Sequence, residues 1–149
     1  MIRRLLYDDE VYGECLQRID ALTPDTQPRW GVMSAGQMLS HCADVQEVSN
    51  GKALEGTPLI VKLLGGFIRK MVVSDKPYPR STKTHPQYLQ TTERDFAAEK
   101  ERLLIALEAF RAAEHGPAPR HALFGELSHD EKGWACYKHL DHHLTQFGV

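Results

Sequence analysis

Four segments of the chain repeat apolar residues at the spacing of an amphipathic helix, and no segment alternates apolar and polar residues as a half-buried strand would. These segments cover residues 9–22, 34–49, 92–114 and 128–147. Two of them begin with a capping box, in which a serine is followed three residues later by glutamine or glutamate: Ser34 with Gln37, and Ser128 with Glu131. The pattern therefore predicts an all-α fold, built as a four-helix bundle.

The second and third predicted helices are separated by a long connection, residues 50–90. Because it can carry the chain back to its starting end, we expect these two helices to run in the same direction. Residues 59–73 within it predict an accessory helix, which Gly65 and Gly66 weaken. These 15 residues, three of them cations, cannot span a bilayer, which needs roughly 20 apolar residues. We favour packing on the bundle over the alternative, an amphipathic helix on a membrane surface, and predict no membrane partner.

Length and composition narrow the classes of protein to which the chain can belong. With 149 residues, we expect one domain that spans residues 1–149. Eighteen basic and 20 acidic side chains leave a net charge of −2, which offers no basic surface to nucleic acid. Three cysteines at irregular spacing predict free thiols in a reducing compartment, and the acidic residues 8–10 interrupt any signal-peptide core. We therefore predict a cytoplasmic protein.

Histidines in the last predicted helix form a candidate metal site. His139 and His143 are four residues apart, which places their imidazoles on one face of a helix, where they can share an ion. His41 is the one histidine inside another predicted helix that also points inward, so we predict it as the third ligand. The spacing alone leaves an alternative open: a solvated helix face, or core histidines that bond to backbone carbonyls. The predicted cofactor is a divalent ion, and zinc, nickel, iron and manganese all remain candidates.

Polar residues near the predicted ligands are candidates for orienting a bound group. Gln37 lies one turn before His41, and Gln146 lies three residues after His143. Hydrogen bonds from their amides would orient that group, with a purely structural role as the alternative. Cys136, one turn before His139, could be a fourth ligand or a nucleophile, although a buried inert thiol is the better interpretation. His142 and His121 are weaker candidates, because the first points away from the site and the second lies in a predicted loop.

Two segments resemble the signature regions of the DinB-like superfamily. Residues 30–41, WGVMSAGQMLSH, are similar to its run of tryptophan, serine and histidine, and residues 139–146, HLDHHLTQ, are similar to its H-x-x-H-H-x-x-Q run. The stretch HALFGELS at residues 121–128, with the ending QFGV, is similar to one branch of that superfamily whose function is not established.

The resemblance implies a four-helix bundle with a long crossover, and a divalent metal held by one histidine of the second helix and two of the last. Those positions correspond to His41, His139 and His143. Relatives include transferases and isomerases that use mycothiol or bacillithiol, and proposed metal-dependent hydrolases. Leu144 stands where relatives often have an arginine, so a contact made by that arginine is not expected here. The resemblance, together with the apolar segment 59–73, also makes a homodimer a candidate assembly.

Two functions are open at this point. The first is a metal-dependent enzyme, a thiol S-transferase or a hydrolase, whose three-histidine site activates a small thiol or a water toward a small-molecule substrate. A low-molecular-weight thiol would then be a second cofactor. The alternative is a non-catalytic helical binding module in which the metal is structural or absent and an exposed surface around residues 59–73 binds a partner protein. Metal content, and unfolding with and without a chelator, discriminate between the two.

Overall fold

A computed structural model describes residues 1–117 and 119–149, and the regular secondary structure of that part of the chain is entirely helical. The predicted all-α class is therefore confirmed. The helices are α1 (Asp9–Asp20), α2 (Ala35–Ser49), α3 (Leu59–Leu63), α4 (Gly65–Val73), α5 (Phe96–Ala112) and α6 (His129–Gln146), with a 3₁₀ turn at Pro86–Tyr88.

Side-chain caps determine where three of the long helices begin. Ser34 accepts a hydrogen bond from the backbone of Gln37 at 3.2 Å, and the Gln37 amide oxygen accepts one from the backbone of Ser34 at 3.0 Å. Ser128 begins α6 in the same way, so both predicted capping boxes form. The third long helix was predicted to begin at Thr92, but α5 begins at Phe96, because the carboxylate of Asp95 accepts from Ala98 N at 2.8 Å.

Helices α2 and α5 pack most extensively and run in the same direction. Gly36, at the start of α2, lies against the carbonyl of Arg94, just before α5. Asn50, just after α2, donates to the carbonyl of Ala106, far along α5, at 2.8 Å. Contacts at corresponding ends of both helices require parallel directions, as the long connection predicts.

Helix α6 runs opposite to α2. His41 meets His139, and Gln46, further along α2, meets Cys136, which comes earlier in α6. Helix α1 packs against the other side of α6. The last helix therefore lies in the interior of the molecule and presents its histidines to α2.

The apolar interior holds the long helices in place. Its largest fully buried apolar side chains are Leu6, Ile19, Met38, Leu39, Leu103, Leu107, Phe110, Trp134 and Leu144. All three cysteines, Cys15, Cys42 and Cys136, are buried and unpaired, as the sequence predicts. Burial of this apolar area contributes about 25 cal/mol per Å² and fixes α2 against α6. Side chains that point from one of these helices to the other therefore have defined positions.

The connection between α2 and α5 differs from the expected single accessory helix over residues 59–73. It contains two short helices, α3 and α4, which meet at Leu64. The backbone of Gly65 lies against the carbonyl of Leu123, so the glycine packs inward as the chain changes direction. None of the helices in the described part of the chain is long and apolar enough to cross a membrane.

Candidate metal centre

Three histidines converge between α2 and α6. His41 projects from α2, and His139 and His143 project from successive turns of α6. One ring nitrogen from each lies within 4.8 Å of the other two. The Nε2 atoms of His41 and His139 are 3.2 Å apart. The structure thus brings together the three histidines that the sequence predicts as metal ligands.

The imidazole of His41 is oriented by a backbone carbonyl. Its Nδ1 lies 2.9 Å from the carbonyl oxygen of Tyr88, which can only accept, so Nδ1 carries the proton and donates it. In the neutral ring the lone pair therefore lies on Nε2, which faces the other two histidines. A hydrogen bond at the remote nitrogen is the usual way in which proteins fix the tautomer of a metal-binding histidine.

Side-chain contacts hold the 3₁₀ turn that carries Tyr88 against the helices. The buried His85 contacts the hydroxyl of Thr57 at 3.0 Å, and its Nδ1 accepts from Gln87 N at 3.1 Å. Gln90 donates to the carboxylate of Asp44 in α2 at 2.9 Å. Because both ends of the turn are tied down, the Tyr88 carbonyl presents a fixed acceptor to His41.

The imidazole of His143 is oriented by Gln146. The Gln146 amide donates from Nε2 to the carbonyl of Trp30 at 2.8 Å, which turns its Oε1 toward His143. His143 Nδ1 lies 2.8 Å from that oxygen and donates to it, so the lone pair of His143 also lies on Nε2. Gly31 makes room for this link, because a Cβ there would lie 2.7 Å from Gln146 Nε2.

Burial keeps the three imidazoles neutral. It lowers the pKa of His41, and it lowers the pKa of His143 to about 3, where charge on His41 acts in the same direction. The pKa of His139 is far below its usual value, because of burial first and then its three histidine neighbours, His143, His41 and His142. The neutral imidazole is the form that binds a metal ion, so the cluster is in its ligating state across the ordinary pH range.

The donor set, and the spacing of two of its nitrogens, fit a divalent ion. Two nitrogens that are each about 2.1 Å from one ion, at tetrahedral or octahedral angles, are about 3.0–3.4 Å apart. The separation of 3.2 Å between His41 Nε2 and His139 Nε2 lies in that range, and a ring nitrogen of His143 lies within 4.8 Å of both. His41 and His143 are buried, and His139 is partly buried.

Comparison with known families places the chain in a family without an assigned function. A family model described as a protein of unknown function, DUF1569, matches residues 2–148. The chain belongs to the DUF1569 family. No curated protein and no solved structure matches this DUF1569 protein. The resemblance to the DinB-like superfamily stays a prediction.

The other candidates in this DUF1569 protein lie around the cluster but have other partners. Gln37 bonds to the backbone of Ser34, and its Nε2 donates to the carbonyl of Thr92 at 3.0 Å, so both ends of its amide are occupied. The thiol of Cys136 lies 3.8 Å from Gln46 Nε2, and burial raises its pKa. Within the described residues, Cys136 does not join the group of three histidines. Its thiol is therefore protonated and turned toward the amide of Gln46.

Next to the cluster is a cavity of about 290 Å³. Its wall includes Trp30, Tyr78 and His142, and the rings of Trp30 and Tyr78 each lie under 6 Å from that of His142. The centroid of His142 is in turn 5.1 Å from that of His143. His142 therefore points away from the ligating atoms, as predicted, and separates the cavity from the cluster. None of the three ligating histidines lines this cavity or a larger groove of about 520 Å³ between α2 and α5, but only the smaller cavity reaches a neighbour of the cluster, His142.

His121 lies in the turn before α6, as predicted. Its Nδ1 accepts from the backbone of Leu123 and Phe124 at 3.2 and 3.3 Å. Burial lowers the pKa of His121 to about 4. The ring therefore closes a local turn in its neutral form, and this explains its burial without a ligand.

Two groups that orient the ligands were missed by sequence reasoning, and both are backbone carbonyls. The carbonyl of Tyr88 orients His41, and the carbonyl of Trp30 orients Gln146. Every residue has a carbonyl, so residue type carries no signal for this role. Only the position of Trp30 within the first signature run pointed to that part of the chain.

Proposed function

We propose that this DUF1569 protein is a metal-dependent enzyme that catalyses transfer of a small thiol, or hydrolysis, on a small-molecule substrate. The observation that carries the proposal is the convergence of His41, His139 and His143, two of which have their remote nitrogens engaged in hydrogen bonds. A divalent ion held by three neutral imidazoles keeps its full charge and lowers the pKa of a bound thiol or water, which is the chemistry that it supplies.

The number of protein ligands supports a catalytic site over a purely structural one. Structural zinc sites are closed by four protein ligands, whereas catalytic sites keep three and leave a position for water or substrate. Here the described residues supply three histidines. The interior is formed by apolar side chains of the long helices, so an ion is not needed to build the core.

Gln146 is proposed as a positioning residue for His143. It accepts the Nδ1 proton of that ring and is itself held by the Trp30 carbonyl, so it limits rotation of the ligand. Gln37 would act less directly, through the first turn of α2, because its amide is occupied by backbone partners.

The cavity of about 290 Å³ supports a small substrate. Ligand pockets in proteins are typically about 300–1,000 Å³, so this one is at the lower end of the range. Trp30 and Tyr78 supply apolar surface, and His142 lies between that surface and the metal ligands. We expect the reacting group of the substrate to approach from the cavity past His142.

The test is a turnover screen of protein purified without a nickel column. The protein is loaded separately with zinc, nickel, iron and manganese, and offered several low-molecular-weight thiols with a panel of electrophiles, and a panel of esters and amides. We expect turnover with at least one metal, no turnover after chelation, and loss of turnover in His143→Ala. The matched control is His115→Ala, whose side chain is exposed and remote in sequence from the ligands. Metal-loaded protein that turns over no thiol and no hydrolytic substrate contradicts the proposal.

A further inference from the structure

Helices α3 and α4 expose a continuous series of large apolar side chains. Between 47 and 74 % of the surface of each of these residues is accessible to solvent. We call these residues the apolar surface: Leu59, Ile60, Leu63, Leu64 and Phe67. Soluble proteins rarely leave such a group without a partner, and an apolar surface of this kind marks an interaction site.

The opposite side of these helices is already packed, so the apolar surface cannot turn inward. Gly65 contacts the backbone near Leu123, where a Cβ would come within 3.0 Å of the carbonyl oxygen. Arg69 donates two hydrogen bonds of 2.9 and 2.8 Å to Glu131 at the start of α6. The buried ammonium of Lys138 donates to the carbonyls of Met71 and Ser74 at 2.8 and 2.9 Å. These contacts fix the orientation of α4.

The same region of the chain is strongly basic. Residues 52–83 contain seven lysines and arginines but only two acidic residues, a net charge of +5 in a chain of net charge −2. Lys52 and Arg69 form ion pairs with Glu47 and Glu131. The remaining five are exposed, and none forms an ion pair with a described residue: Lys62, Lys70, Lys76, Arg80 and Lys83.

Two of these lysines border the apolar surface. Lys62 follows Leu59 by three residues in α3, and Lys70 follows Phe67 by three residues in α4. Residues three apart are neighbours on a helix, so each lysine lies beside an exposed apolar side chain. An apolar face bordered by cations is the arrangement of helices that lie in the interface of an anionic membrane.

We propose that α3, α4 and the basic residues around them dock on an anionic lipid surface, which reverses the sequence-based preference against a membrane partner because these apolar side chains are exposed. The apolar surface inserts at the boundary of headgroups and acyl chains, and the unpaired cations contact lipid phosphates. A second copy of this chain is a poorer occupant, because a symmetric contact would bring two sets of unpaired cations together without acidic residues to match them. Neither helix can cross a bilayer, so docking is confined to the surface.

The test is co-sedimentation of the full chain with vesicles of phosphatidylcholine, with and without phosphatidylglycerol. We expect binding only to the vesicles that contain phosphatidylglycerol, and weaker binding as the salt concentration rises. Lys62→Gln and Lys70→Gln should each lower the partition coefficient about fivefold, and the double variant Leu63→Ser with Phe67→Ser by more than about tenfold.

Matched controls lie on α5, outside the apolar surface. Ile105→Ser replaces another exposed apolar side chain, and Ile105→Ser combined with Ala109→Ser makes a double variant of the same size; both should leave vesicle binding unchanged. Circular dichroism and the unfolding temperature should be the same for all variants, because the replaced side chains are at the surface. No binding to phosphatidylglycerol, or equal binding to neutral vesicles, overturns the proposal. The proposal is also overturned if the protein binds no vesicles and light scattering shows a dimer that the double variant Leu63→Ser with Phe67→Ser dissociates.

Discussion

The long helices and the connection between α2 and α5 use the same residue types in opposite ways. Phe110 in α5 is 1 % exposed and stacks on Tyr7, whereas Phe67 in α4 is 68 % exposed. Arg102 in α5 contacts the carboxylates of Asp44, Glu47 and Glu99, whereas Lys70 in α4 pairs with none of the described residues. Phe110 and Arg102 of the long helix therefore have their partners within the chain, whereas the apolar surface and two of the three cations of α3 and α4 have none among the described residues. We infer that the paired side chains of the long helices serve folding, and that the exposed side chains of α3 and α4 serve binding.

The largest effect should come from replacing a phenylalanine by alanine in a long helix, and the same replacement in α4 is the comparison. Phe110→Ala is expected to lower the free energy of unfolding by about 3–5 kcal/mol, because it removes a buried ring and leaves a cavity. Phe67→Ala should change it by less than about 0.5 kcal/mol, because its ring is already in contact with water. Urea unfolding of the two variants measures the difference. A loss of similar size in both would show that α4 is part of the core.

The metal centre should be sensitive to a residue that contacts no ion. Gln146→Ala removes the acceptor for His143 Nδ1 and should weaken metal binding about 10–100-fold, while the three ligands remain. Competition with a chromophoric chelator measures the affinity. Gln27→Ala is the control, since Gln27 is exposed and donates only to the neighbouring carbonyl of Asp25. Equal affinity in Gln146→Ala and the wild type would mean that His143 needs no orientation.

Two glycines, one beside the metal centre and one in α4, allow the packing around the backbone to be compared in the two regions. Gly31 has a φ of +84°, and a Cβ there would collide with the Gln146 amide, so Gly31→Ala should cost about 1–3 kcal/mol and also weaken metal binding. Gly66 in α4 has open space around it, so Gly66→Ala should stabilise the protein by about 0.5–1 kcal/mol. Thermal unfolding and chelator competition measure the two effects. Stabilisation by Gly31→Ala would rule out the packing described for Gln146.

Sequence reasoning succeeded where local chemistry decides the structure. Ser34 and Ser128 begin α2 and α6 because a capping box is a contact within four residues. The two histidines of α6 share a face because helix geometry places residues four apart side by side.

The failures have a common cause, since each depends on contacts that are remote in sequence. Residues 59–73 show an apolar pattern, but the pattern does not tell whether a neighbouring element will cover it. The break at Leu64 follows from the packing of Gly65 on Leu123, which is 58 residues away in sequence. The carbonyl of Tyr88 is held against His41 by the contacts of Gln90 with Asp44 and of His85 with Thr57. Tertiary contacts of this kind leave no periodic signal in the sequence.

The last prediction concerns charge and depends on pH. Hydrogen bonds from Arg102 lower the pKa of Glu47 from 4.5 to about 2, so the carboxylate is more acidic in the folded chain than in the unfolded one. A depressed pKa of this kind contributes stability that is complete above pH 4.5 and disappears as the pH falls through about 2. Arg102→Gln should therefore cost about 1 kcal/mol at neutral pH, and its stability should approach that of the wild type in acid.

Two lysines in the connection between α2 and α5 serve as the control for that measurement. Lys62 and Lys70 form no ion pair with any described carboxylate, so the double variant Lys62→Gln with Lys70→Gln should unfold at the wild-type urea concentration at every pH. Urea midpoints between pH 2 and neutrality test both expectations, because any contribution from the histidine cluster is common to all three proteins and cancels in the differences. If the gap between wild type and Arg102→Gln did not narrow in acid, Glu47 would not be the titrating partner. A loss in the double lysine variant would mean that the connection, like the long helices, satisfies its charges within the chain.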